Sequence, residues 1–286
     1  MIRAILLAAG KQGGMIGTTG TVIGDVVTPT LNTTPESYEL HQAFAQMVEA
    51  GCEYAVMEVS SQGIKMHRTD GLYFNYAIFT NISPDHIGPG EHADFEEYLY
   101  YKTRLLNMCG IGLVNKDDKH APQIIKAANC ELYTYSEESK EADFVASDIR
   151  YVSQPDFVGT EFHISGKYDM EVRLGIPGLF NVVNALAAVS VCSFLGLDQA
   201  RISHALENIR VNGRMEIVYT SERCTVLVDY AHNAVSMESL LSTLRDYKPK
   251  RLVCVFGCGG NRSKDRRYSM GEIGGKMADL SIITAD

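Results

Sequence analysis

Five stretches of this 286-residue chain carry side chains able to bind cations, phosphates or carboxylates. The first is Met57-Glu58-Val59-Ser60-Ser61-Gln62-Gly63, where Glu58 is an acid at the end of an apolar run. A carboxylate there needs a cation or a hydrogen-bond donor, and a structural partner satisfies that need as well as a metal does. The second is Thr80-Asn81-Ile82-Ser83-Pro84-Asp85-His86, which sets a carboxylate beside an imidazole. Such a pair suits a divalent ion, although Asp-His is also common in ordinary turns. The third, Asp229-Tyr230-Ala231-His232-Asn233, could hold a ribose or purine edge, or merely cap the next helix through Asn233.

Asn32-Thr33-Thr34-Pro35 puts two hydroxyls and free backbone N–H groups at a helix start, which favours an anionic ligand. Capping alone accounts for one threonine, not for both. The fifth stretch, Gly257-Cys258-Gly259-Gly260-Asn261-Arg262-Ser263-Lys264-Asp265-Arg266-Arg267, is glycine-rich and basic. It could cradle a phosphate or carboxylate, or be a solvated turn. The G-x-x-x-x-G-K-[ST] triphosphate cradle occurs nowhere in the 286 residues: Lys11 is followed by Gln12 and Lys276 by Met277.

The elements that would position these residues alternate between short β-branched runs and helical periodicity. Strands are predicted at Tyr54–Val59, Tyr76–Thr80, Ile111–Asn115, Thr225–Asp229, Arg251–Phe256 and Leu280–Thr284. Helices are predicted near 35–50, 94–107, 121–128, 181–195, 199–208, 235–246 and 268–278. In the helix at 35–50, Thr34 is expected as N-cap and Pro35 at the first helical position, with Leu40, Phe44, Met47 and Val48 as the apolar stripe. Nearly continuous apolar strands between helices imply an α/β fold with a mostly parallel sheet covered on both faces. Residues 132–175 alternate with period two around Pro155-Asp156 and Gly166-Lys167, which predicts an appended antiparallel patch. A second α/β domain is expected from about 212, giving domains of 1–211 and 212–286.

A formal charge of −9 argues against nucleic acid as a partner, because phosphate backbones select basic surfaces. No apolar run reaches the roughly 18–20 residues of a membrane span, and the apolar start of the chain reads as an amphipathic helix ending at Gly10. The seven cysteines, Cys52, Cys109, Cys130, Cys192, Cys224, Cys254 and Cys258, are scattered, as expected of reduced thiols in a cytoplasmic protein.

Taken in order, the motifs resemble one family, the Mur ligases, and among them those that add a third residue to UDP-N-acetylmuramoyl-L-alanyl-D-glutamate. The resemblance is carried by Asn32-Thr33-Thr34-Pro35-Glu36-Ser37, Met57-Glu58-Val59-Ser60-Ser61, His67-Arg68, Thr80 to His86, Tyr101-Lys102, Gly178 to Ala185, Gly213-Arg214-Met215-Glu216, Asp229-Tyr230-Ala231-His232 and Gly257-Cys258-Gly259-Gly260. Each string is weak alone. Their collinear order over the whole chain is not.

The resemblance implies an ATP-dependent amide ligase working through an acyl phosphate, with Mg2+ as cofactor. It implies Glu58, His86 and Lys102 as catalytic metal-holding residues, with Lys102 carbamylated so that a cation becomes a carboxylate-like ligand. Thr33, Thr34, Ser60 and Arg68 would hold the muramoyl dipeptide, and Arg267 the incoming amino acid, diaminopimelate or lysine. Asn181, Arg214, Asp229 and His232 would face the nucleotide. Met66 departs from a glutamine common in some members. The implied protein is a cytoplasmic monomer acting on small substrates, with no nucleic-acid or membrane partner.

The family places a UDP-binding domain and a P-loop before the helix that here begins at Met1, and a selecting Asn-Pro-Arg or variant after the strand that here ends at Asp286. The chain is therefore expected to be a fragment, inactive alone because the P-loop carries much of phosphoryl-transfer catalysis. Rival readings are another Mur-like ligase, of folylpolyglutamate or cyanophycin type, or a non-catalytic remnant that binds the muramoyl peptide.

Overall fold

A computed structural model of the chain describes residues 1–84, 86–154, 156–211, 213–258 and 264–284, with the side chain of Lys264 also outside the description. The first helix, α1 (Ile2–Ala8), buries Ile5 and Leu6 and ends before Gly10, as its sequence predicts. Residues 13–28 then form three short strands that were not predicted: β1 (Gly13–Gly17), β2 (Gly20–Ile23) and β3 (Val26–Thr28). Helix α2 (Ser37–Glu49) buries Leu40, Ala43 and Met47 against Ile16. Strand β4 (Tyr54–Met57) completes a four-stranded sheet of order β3-β2-β1-β4, in which β1 pairs antiparallel with β2 and parallel with β4.

The cap of α2 corrects the sequence reading. Glu36, not Thr34, is the N-cap, in a reciprocal capping box with Glu39. Thr34 is turned inward to other partners.

A short helix, α3 (Ser61–Lys65), leads to β5 (Phe74–Phe79), α4 (Phe95–Arg104) with a 3-10 turn at Leu105–Asn107, β6 (Cys109–Asn115), α5 (Ala121–Ala127) and β7 (Glu131–Ser136). Strands β8 (Phe144–Gln154), β9 (Phe157–Gly166) and β10 (Met170–Leu174) follow. They form a six-stranded sheet of order β10-β9-β8-β7-β6-β5. Strands β5 to β8 pair parallel, so β7 belongs to the parallel part and not to the antiparallel patch predicted from residue 132. Only two residues join β8 to β9, a connection that permits antiparallel neighbours alone. Ala77, Phe79, Leu99, Leu106, Val114 and Ile124 form the core between this sheet and α4 and α5.

Helices α6 (Leu179–Phe194) and α7 (Gln199–Glu207) precede β11 (Glu216–Thr220) and β12 (Thr225–Val228). These two strands pair antiparallel, where the sequence suggested only β/α alternation. Then come α8 (Ala234–Asp246), β13 (Val253–Gly257), α9 (Lys264–Met277) and β14 (Leu280–Thr284). Strands β13 and β14 pair parallel, and Met237, Leu241, Leu252 and Met270 pack the small core beside them.

Two compact units result. One comprises Met1–Ser147, His163–Val172 and Val183–Leu206; the other comprises Asp148–Phe162, Arg173–Val182 and Glu207–Asp286. Within the second, the Tyr247 hydroxyl lies 2.9 Å from Thr160 Oγ1 and accepts from the Gly178 N–H at 3.1 Å.

Candidate functional site

In the first unit, the end of β4 carries Glu58 past the sheet, where it is exposed. Its Oε2 accepts from the Thr18 hydroxyl at 2.7 Å and from the Thr18 N–H at 3.1 Å. Thr18 lies just past β1, the parallel neighbour of β4, so the backbone register brings the two together. The approach is close: a Cβ on Gly17 would stand 2.8 Å from the Glu58 carboxyl carbon, so glycine is required there unless Glu58 moves. Thr18 Oγ1 also lies 3.2 Å from Thr33 Oγ1. Thr18 was absent from the sequence reading. Its one available signal was the glycine before it, a mark of close approach.

Thr34 is fully buried. Its hydroxyl donates to the Glu58 carbonyl at 3.0 Å and accepts from the Ser60 N–H at 2.9 Å, joining the loop before α2 to the turn after β4. Ser60 caps α3, its Oγ accepting from the Gly63 N–H at 2.9 Å. A Cβ on Gly63 would fall 2.8 Å from Thr34 Cβ and Cγ2. Arg68, largely covered, donates from Nη1 to the Thr34 carbonyl at 3.1 Å and pairs through Nη2 with Glu36 Oε1 at 2.8 Å. Its Nε is buried without a hydrogen-bond partner. Thr33, Thr34, Glu58, Ser60 and Arg68 therefore form one bonded group, with the Arg68 fork partly filled by a carboxylate of the chain itself.

A second group gathers around the Tyr98 ring on α4. His86, in a left-handed backbone conformation (φ 54°), approaches it edge-on at 5.7 Å between ring centres. Lys102, one turn along α4, sets its Nζ 5.5 Å from the same ring centre and 5.7 Å from that of Phe79. The Lys102 ammonium donates to the Asn81 carbonyl at 2.8 Å. Burial pushes its pKa below the ordinary lysine range, and the charge of Asp118 pulls the other way. Asp118 in turn accepts from the Ile82 N–H at 2.7 Å, so it braces the loop that Lys102 binds. His86 Nδ1 lies 3.4 Å from Glu91 Oε1.

Glu58 follows β4 and His86 follows β5, two strands that are not hydrogen-bonded to each other. Strands β4 and β5 are edge strands of different sheets. The two groups are tied through side chains instead: His92 Nε2 to Ser61 Oγ at 2.8 Å, Gln62 Nε2 to the Gly90 carbonyl at 3.3 Å, and Lys65 Nζ to the Glu91 carbonyl at 2.9 Å. Among the described residues, no three His, Cys, Asp or Glu side chains form a cation cage. Lys102 and His86 thus meet on one ring, that of Tyr98.

The nucleotide candidates lie in the second unit. Asp229 accepts from the Met215 N–H and the Ala231 N–H, each at 2.8 Å, holding Met215 at φ 47°. The Arg214 guanidinium lies over the Tyr230 ring at 4.9 Å, and His232 sits 5.1 Å from the same ring with Nδ1 3.1 Å from the Tyr230 carbonyl. Asn181, near the start of α6, is buried and donates from Nδ2 to the Pro177 carbonyl at 2.7 Å. Asn233 caps α8, one of the two readings its stretch allows. Arg267 is exposed on α9; residues 259–263 of the glycine-rich loop, like Asp85, lie outside the described residues.

The chain matches two family models in succession: the Mur ligase middle domain over residues 1–192, and the Mur ligase glutamate ligase domain over residues 213–286. It is 38% identical over 292 aligned residues to a UDP-N-acetylmuramoyl-L-alanyl-D-glutamate–2,6-diaminopimelate ligase of Caldanaerobacter subterraneus, covering all of this chain and 58% of that protein. The ligase of that name from Clostridium perfringens is 37% identical, with 59% of it covered. The chain thus spans under three fifths of the length of these relatives. Among solved structures, a UDP-N-acetylmuramoyl-L-alanyl-D-glutamate–2,6-diaminopimelate ligase superposes with TM-score 0.81 at 29% identity, over 100% of this chain and 59% of the other. A folylpolyglutamate synthase of Mycobacterium tuberculosis shares the fold, with TM-score 0.70 at 17% identity over 99% and 71% of the two chains. No helix among the described residues is long and apolar enough to cross a membrane. With matching models in order over both parts and whole-chain identity to named ligases, the chain belongs to the Mur ligase family.

Proposed function

We propose that the protein is an ATP-dependent ligase joining an amino acid, diaminopimelate or lysine, to the D-glutamate carboxylate of UDP-N-acetylmuramoyl-L-alanyl-D-glutamate, in the cytoplasm. The observation that carries this reading is the 38% identity, over the full chain, to ligases whose names state that acceptor. It goes with the bonded group of Thr33, Thr34, Ser60 and Arg68 beside Glu58.

In this reading, Thr33 and Ser60 offer hydroxyls to the dipeptide, and Thr34 fixes the backbone that carries them. Arg68 offers a planar fork, and a substrate carboxylate would take the place that Glu36 now occupies. Glu58, His86 and a carbamylated Lys102 would hold Mg2+, which neutralises charge on the phosphoryl group as it passes from ATP to the carboxylate. The depressed pKa of Lys102 leaves more neutral amine for carbamylation. Arg214 and His232, gathered on Tyr230, and Asn181 face the nucleotide; Asp229, both oxygens engaged by backbone, shapes their turn. Arg267 meets the carboxylate of the incoming amino acid.

The test is ligation by the intact protein with ATP, Mg2+ and the UDP-muramoyl dipeptide, offering diaminopimelate and lysine separately and weighing the product. A tripeptide product with phosphate release supports the reading. Product only from a folate acceptor, or none from any, contradicts it.

A further inference from the structure

His92 is fully buried, an unusual place for an imidazole, and no catalytic role above uses it. Its Nε2 meets Ser61 Oγ at 2.8 Å, on the helix that Ser60 caps. Its ring stacks on Tyr98 with centres 5.2 Å apart and planes 30° apart, and lies 5.7 Å from Tyr101. Its backbone N–H donates to the His86 carbonyl at 3.0 Å, and its carbonyl accepts from the Gly88 N–H at 3.0 Å, closing the loop from His86 to His92 on itself. Its Nδ1 is buried without a hydrogen-bond partner, 3.8 Å from Glu97 Oε2. A polar nitrogen left unpaired in the interior is unfavourable, so an apolar side chain would serve packing better.

What His92 provides is a junction. Tyr98, held by its stack, presents its ring to both His86 and Lys102. His86 has a left-handed backbone, which a non-glycine residue keeps only when its surroundings hold it there. We propose that His92 is a positioning residue for the cation site: through Ser61 on one side and Tyr98 on the other, it sets where His86 and Lys102 stand. This rests on the reading of those two as cation ligands. Supporting groups behind metal ligands commonly change affinity 10–100-fold when removed.

The test is titration of the intact protein with Mn2+, read by electron paramagnetic resonance, together with the 14N modulation that a coordinated imidazole imposes on the bound ion. Ser61→Ala keeps the imidazole and removes its partner; His92→Phe keeps a stacking ring and loses the bond. Both are expected to weaken Mn2+ binding about 10-fold and to reduce the imidazole modulation. General loosening of the fold would not selectively remove that modulation. If His92→Phe does not fold, Ser61→Ala decides. His86→Ala separates the two readings. Loss of the modulation in His86→Ala, with unchanged affinity and modulation in the other variants, overturns the role of His92 alone. A His86→Ala protein indistinguishable from wild type overturns the cation reading and this inference together.

Discussion

Replacing Thr34 by valine keeps the side-chain shape and removes one hydroxyl, which makes it a sharp test of how the substrate group is built. In the fully buried native residue that hydroxyl donates to the Glu58 carbonyl at 3.0 Å and accepts from the Ser60 N–H at 2.9 Å. A methyl cannot replace either bond, and it needs more room than 3 Å from a carbonyl oxygen. Each buried backbone group left unpaired costs about 1–3 kcal/mol. Ser60 and its surroundings are only partly buried, so the sum is expected near the lower middle of that range doubled, about 2–4 kcal/mol. Thr34→Ser keeps both bonds and loses the methyl that stands over Gly63, which is worth about 1 kcal/mol. Stability should therefore fall from wild type to Thr34→Ser to Thr34→Val. The assay is the urea midpoint of the intact protein, paired with amide hydrogen exchange at Ser60, which localises the effect if the two units unfold separately. A Thr34→Val protein within about 0.5 kcal/mol of wild type, with Ser60 equally protected, would refute the claim that this hydroxyl joins the two loops.

Gly63→Ala is expected to destabilise the same junction, since its methyl would stand 2.8 Å from two Thr34 carbons; reduced binding of the UDP-muramoyl dipeptide by calorimetry checks it. Lys102 binds fewer protons folded than unfolded between its depressed pKa and the ordinary lysine value of 10.5, so stability should rise with pH across that window. Urea midpoints measured over it should show a positive slope that Lys102→Met lessens. Asp229→Ala leaves the Met215 and Ala231 N–H groups without their 2.8 Å acceptor, and should lower nucleotide affinity by about 10-fold, as fluorescence titration with an ATP analogue would register.

Local signals made some of this structure legible in the sequence. The strand at Leu280–Thr284 and the Asn233 cap follow from β-branched runs and cap chemistry that act over a few residues. Strands β1 to β3 escaped because they are short and interrupted by glycine, and only pairing with one another and, for β1, with β4 makes them strands. Thr34 looked like a cap because Thr-Pro is a strong local signal; its partners at Glu58 and Ser60 lie in another part of the chain. Glu58, His86 and Lys102 were named by resemblance, and nothing in the spacing of residues 58, 86 and 102 says how they are joined. Tyr98 could have been noticed, since it sits four residues before Lys102 and so on the same helix face. The burial of His92 could not.

The most direct test of the whole account is an anomalous difference map from crystals of the intact protein grown with Mn2+, bicarbonate and the UDP-muramoyl dipeptide. The account predicts a single strong peak about 2.0–2.3 Å from a Glu58 carboxylate oxygen, a His86 ring nitrogen and an oxygen of a carbamate on Lys102. A peak elsewhere, or a plain ammonium at Lys102 still bonded to Asn81 with Mn2+ bound at another place, would contradict it.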